Sequence, residues 1–83
     1  MQQIDGWYVT AGWGSTKEGY MPVISATKYG QSGTRSCALT LRNAGPQPSI
    51  WIAAEVAKRA KVQAVRDHDG LASIVLADDS PVR

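Results

Sequence analysis

Phenylalanine is absent from this 83-residue chain, and cysteine and histidine occur once each, as Cys37 and His68. A lone cysteine excludes an internal disulfide, and one His with one distant Cys matches no zinc-ligand spacing, so neither a metal nor thiol chemistry is expected. No apolar run of roughly 18 residues is present to span a bilayer, and nothing resembles a signal peptide; a cytoplasmic location without a membrane partner is expected. With no Phe, three Trp and three Tyr supply all the aromatic volume, and each indole N–H wants a partner when buried. A chain of this length makes one domain, residues 1–83, that folds without cofactor but has few bulky apolar residues to spare from its core.

Acidic residues are scarce in most of the chain. Residues 1–66 hold eight Lys and Arg against Asp5, Glu18 and Glu55, while residues 67–83 hold four Asp against Arg83. The net charge of +2 therefore conceals a basic body and an acidic end. Mixed surface charge that keeps the protein soluble explains most of this, and an electropositive face for an anionic partner is the sharper reading.

Residues 7–13 alternate with period two: Trp7, Val9, Ala11 and Trp13 go to one side, Tyr8, Thr10 and Gly12 to the other, as in a half-buried strand. Residues 14–19 read as a hairpin loop, and residues 20–29 as a second strand, with Ile24 and Ala26 inward and Pro22 at a beginning, edge or bulge. After the turn Gly30-Gln31-Ser32-Gly33 a third strand runs from Thr34 to Arg42, with Cys37, Leu39 and Leu41 inward. Cys37 is thus expected to be a small core residue. Ser49 then caps a long helix expected to continue to Gly70. At about 100° per residue, Ile50, Ala53, Ala54, Val56, Ala57, Ala60, Ala64 and Val65 fall on one arc. The run Leu71–Ala77 gives a fourth strand, stopped by Asp78-Asp79-Ser80-Pro81, with 78–83 a flexible acidic tail. The expected fold is α+β, a three-stranded antiparallel meander followed by one helix and a fourth, parallel strand (β-β-β-α-β). Its expected core is Trp7, Val9, Trp13, Leu39, Leu41, Ile74 and Leu76.

Catalytic constellations are missing. Gly12-Trp13-Gly14 lacks the Lys-Ser/Thr ending and the following helix of a phosphate loop, and Asp67-His68-Asp69 reads as a polar helix terminus. No enzyme activity, no cofactor and no small-molecule substrate are expected. Two binding readings remain. The outer sheet face offers Tyr8 and Tyr29 for stacking on bases, with Lys28, Arg35 and Arg42 for phosphate, which suits an accessory protein that binds DNA or RNA. Alternatively, Trp51 and Ile52 lie outside the helix's apolar arc, and Val62 falls three turns beyond Trp51 at nearly the same angle. That stripe suits a protein-binding module, a small inhibitor or adaptor, or a homodimer.

The Gly6-Trp7-Tyr8-Val9 stretch and the Ala-rich helix resemble, in layout, the small DNA-binding domains of the integrase arm-binding kind, over about half of the chain. The resemblance implies a sheet that enters the major groove. Those sheets carry several Arg on the reading face, whereas here the face offers chiefly Arg42, with Arg35 dependent on register.

Overall fold

Two Asp-Gly pairs shape this fold. In the computed structural model, which describes residues 2–83, Asp5 (φ 51°) with Gly6 (φ 83°) and Asp69 (φ 52°) with Gly70 (φ 80°) occupy the left-handed region. Two successive left-handed residues make the tight turn whose twist matches that of paired strands. The first turn folds β1 (Gln2–Ile4) onto β2 (Trp7–Thr16), and the second folds β5 (Val62–His68) onto β6 (Leu71–Leu76).

Between them lie β3 (Gly19–Gly30), β4 (Gly33–Thr40), a 3₁₀ turn (Arg42–Ala44) and the helix α1 (Ile50–Lys58). Strands β1-β2-β3-β4 form one antiparallel sheet in that order, and β5-β6 form a separate two-stranded sheet. The architecture is α+β, with a fourth strand in the main sheet that comes from residues 2–4 rather than from residues 71–77. The expected parallel strand is absent among the described residues: the turn at Asp69-Gly70 sends residues 71–76 back antiparallel along β5.

The helix is shorter than its periodicity suggests. Ser49 caps it as expected, its Oγ accepting from Ile52 N at 3.2 Å. The helix ends at Lys58, with Arg59 as its C-cap. From there Val65 serves a strand equally well, since it alternates with Ala64 and Arg66 and is buried opposite its register partner Ile74. Val62 likewise belongs to β5, so the three-residue helical stripe does not exist.

α1 lies across β2 and β3, and β6 lies against β4. Ala53 and Ala57 are fully buried, and the lack of bulk on that face lets the helix axis sit close to the sheet. The core contains Trp7, Val9, Ile24, Ala26, Leu41, Ala57, Val65 and Ile74, with Cys37, Leu39 and Leu76 packed at its margin. Trp13 departs from expectation: it is 47% exposed and meets Tyr20 edge-on, with ring centroids 5.6 Å apart. Pro22 is buried in an unbulged strand, where the β2–β3 register runs unbroken from Tyr8↔Thr27 to Thr16↔Gly19. It sits where β4 ends, and its carbonyl accepts from Leu41 N at 2.9 Å.

The C-terminal segment is tied down rather than loose. Ser80 Oγ accepts from Lys61 N at 3.0 Å and donates to Val82 O at 2.7 Å, and Arg83 O accepts from Asn43 N at 3.0 Å. The Lys61 ammonium, 2.9 Å from Asp79, holds that carboxyl below the usual carboxylate range.

Candidate functional site

Alternation along the sheet divides its residues between two faces. Ile24 and Ala26 point to the core, so Val23, Ser25, Thr27 and Tyr29 point away from it, beside Tyr8 and Thr10 of β2 and Ser36 and Ala38 of β4. None of these outward side chains is charged. Tyr8 lies diagonally across from Tyr29, because it pairs with Thr27. Their ring centroids are 5.9 Å apart with planes inclined at 57°, and the residues are 39% and 68% exposed. Together with Thr10 and Thr27 they line a shallow groove of about 290 Å³. A tilted aromatic pair with hydroxyls on either side presents rigid apolar area and hydrogen-bonding capacity together.

The cations expected beside these rings are elsewhere. Lys28 and Arg35 are register partners on the opposite, core-facing side of the sheet, where they flank Trp7. The Lys28 ammonium lies 6.0 Å and the Arg35 guanidinium carbon 5.8 Å from the Trp7 ring centroid. Trp7 is 1% exposed, so the two cations close the end of the core over its ring. Arg35 also pairs with Asp67 of β5. Arg42 stands apart in the 3₁₀ turn beyond the end of β4, exposed. Of the five residues assigned to nucleic acid, the structure thus joins Tyr8 to Tyr29 on one face and Lys28 to Arg35 on the other, and leaves Arg42 alone. The arginine-bearing reading face implied by the resemblance to integrase arm-binding domains is not present on this sheet.

Trp51 and Ile52 are exposed on the first turn of α1, at 77% and 44%. Val62, their expected companion, is packed against the core from β5. Two further apolar residues are exposed outside the expected sites. Trp13 is one, at the end of the sheet where Tyr20 and Gln47 exchange backbone hydrogen bonds just before α1 begins. Leu71 is the other, beside the tip of the second hairpin.

Cys37 is half-buried on the core side; burial pushes its thiol up, with the Arg35 charge opposing. His68 Nε2 lies 3.1 Å from Asp69 Oδ2 at an exposed hairpin tip. Among the described residues, no group of three or more His, Cys, Asp or Glu side chains is placed to share a metal ion, and no helix is long and apolar enough to cross a membrane. Comparison with protein-family models, curated proteins and solved structures gives no match.

Proposed function

We propose that this chain is a non-enzymatic binding module, of the adaptor or small-inhibitor kind, whose working surface is the open face of the main sheet and whose partner is another protein. The observation that carries this reading is the exposed Tyr8–Tyr29 pair on a face without charged side chains. Tyrosine loses few rotamers on binding and offers apolar area with a hydroxyl, while serine and threonine supply adaptable hydrogen bonds. A phosphate backbone, by contrast, draws most of its affinity from cations, and here Lys28 and Arg35 lie on the other side of the sheet and Arg42 in the turn beyond it.

The two tyrosines also support a second reading, a single-stranded nucleic acid with bases stacked on their rings and its phosphates reaching round the sheet end to Lys28. One double variant, Tyr8→Ser with Tyr29→Ser, tests both. Proteins captured from cell extract by wild type and variant are compared by quantitative mass spectrometry; a partner retained by the wild type and lost by the variant is expected. Identical sets from both proteins overturn the first reading. Salt-sensitive binding of a mixed-sequence single-stranded oligonucleotide, lost in the same variant, favours the second. Trp51 and Ile52 offer a further apolar contact for a protein partner or a second copy. Sedimentation of wild type and Trp51→Ala checks this, a concentration-independent monomer in both excluding self-association through it.

A further inference from the structure

Among the described residues, the edge of the main sheet beyond β1 carries backbone groups without a strand partner. The closing residues of a two-residue hairpin exchange both backbone hydrogen bonds, and the pattern alternates from there. Counting from Thr16↔Gly19, the residues Thr16, Gly14, Gly12, Thr10 and Tyr8 turn their N–H and C=O groups to β3. Trp7 and Val9 turn theirs to β1, in agreement with the closing pair Ile4↔Trp7 at the other hairpin. Ala11, Trp13 and Ser15 turn theirs the same way, and β1 ends short of them: among the described residues its pairing stops at Gln2↔Val9. No charged side chain, proline or bulge guards this stretch of β2, the devices by which edges are commonly blunted.

Beside this edge lies a groove of about 330 Å³ between β2 and the end of α1, lined in part by Val9, Ala11, Ala57, Lys58, Ala60 and Val62. Ala11 belongs to both features: its backbone is free at the edge and its side chain faces the groove. In a strand laid antiparallel along this edge, the residue opposite Ala11 shares its face and so points into the groove.

The charge of the groove selects among occupants. None of its lining residues is acidic, and its one charged member is Lys58, 3.0 Å from Glu55, with the exposed Arg59 next in sequence. We propose that the β2 edge accepts an extended peptide segment of a partner protein, which pairs with Ala11, Trp13 and Ser15, places a small apolar side chain in the groove and sets an acidic residue against Lys58 and Arg59. This is strand addition, with backbone hydrogen bonds supplying affinity and alternate side chains supplying specificity. The site is separate from the Tyr8–Tyr29 face, and either can fail without the other.

The test begins with a random octapeptide library displayed on phage and selected on the whole protein. Enrichment of sequences that alternate β-branched or small apolar residues with Glu or Asp is expected. A selected peptide, titrated into labelled protein, is expected to slow amide exchange at Ala11, Trp13 and Ser15, while Gly12 and Gly14 are already slow in the free protein. Lys58→Glu, a change at an exposed position, is expected to weaken that peptide by about tenfold and to select basic peptides instead. The Tyr8→Ser and Tyr29→Ser double variant is expected to bind it unchanged. Failure to select any peptide, protection confined to other residues, or indifference to Lys58→Glu overturns the proposal. So does protection of the same three amides in the free protein that grows with its concentration, since a second copy then occupies the edge.

Discussion

Removing the Trp7 side chain tests how the core is closed. Trp7 is 1% exposed, with Lys28 and Arg35 about its ring. Truncating a buried tryptophan to alanine costs about 3–5 kcal/mol, and each cation over an aromatic ring adds roughly 0.5–1 kcal/mol at sites such as these. A domain of 83 residues has a total stability of roughly 4–12 kcal/mol. Trp7→Ala is therefore expected to remove a third or more of the stability and to leave a protein that unfolds in little denaturant. Lys28→Ala separates the two contributions, because Lys28 makes no ion pair among the described residues and its loss removes one cation–ring contact without a cavity. Urea unfolding followed by far-ultraviolet circular dichroism gives both values. Fluorescence supplies an internal control, since Trp13 and Trp51 are exposed and Trp7 alone emits from an apolar site. A loss below about 1.5 kcal/mol for Trp7→Ala would refute a core organised on this ring, since even a poorly packed site exceeds it. An unchanged midpoint for Lys28→Ala would refute the cation contribution alone.

Gly19→Ala is expected to cost more than about 1 kcal/mol, because φ there is +142° and the added Cβ would lie 2.6 Å from the Gln47 carbonyl oxygen. Gly12→Ala, with open space around it, is expected to stabilise the strand by roughly 0.5–1 kcal/mol, and thermal melts of the pair measure both signs. Ser49→Ala removes the cap on Ile52 N and is expected to cost about 1 kcal/mol in urea unfolding. Burial holds the Cys37 thiol protonated above its ordinary value, so the unfolded chain loses that proton first. Stability is then constant below the ordinary thiol range and falls as pH rises through it, until the folded thiol also ionises. Urea midpoints measured from neutral to alkaline pH are expected to show this fall in the wild type and to lose that part of it in Cys37→Ala.

The parts of this fold that were legible in the sequence are those where one period has no rival. Trp7 to Ala11 and Cys37 to Leu41 alternate with nothing to suggest a helix; the first runs as expected in β2, and the second in β4, with Leu41 buried just beyond the strand's end. Ser49 was legible as a cap because two prolines precede it and α1 follows at once. Residues 59–70 were not, since Ala, Lys, Gln and Arg favour a helix locally while Val62 and Val65 suit a strand. What decides between them is tertiary: Val65 becomes buried against Ile74 only if the chain reverses at Asp69-Gly70. The same dipeptide at Asp5-Gly6 reverses the chain into β1. A glycine after a polar residue ends a helix or turns a hairpin with the same left-handed backbone, so the residue pair alone does not distinguish them.

The candidate site divides along the same line. Arg35 shares its parity with Cys37 and Leu39, and Lys28 with Ile24 and Ala26, so the alternation that builds the core also assigns both cations to its side of the sheet. Their charge argues for solvent, and that is what hid the assignment. The structure satisfies both demands at the rim, where the side chains lie against Trp7, and Arg35 meets Asp67 from a strand in the stretch whose local composition favours a helix. Once β5 exists, Arg35 has an acidic partner on the core side, and the outer face is left to hydroxyls and the two tyrosines. The short helix and the Arg35–Asp67 pair are thus consequences of one event, the reversal at Asp69-Gly70, which supplies Val65 and Ile74 to the core and Asp67 to Arg35, while the uncharged face follows from the alternation of β3 and β4.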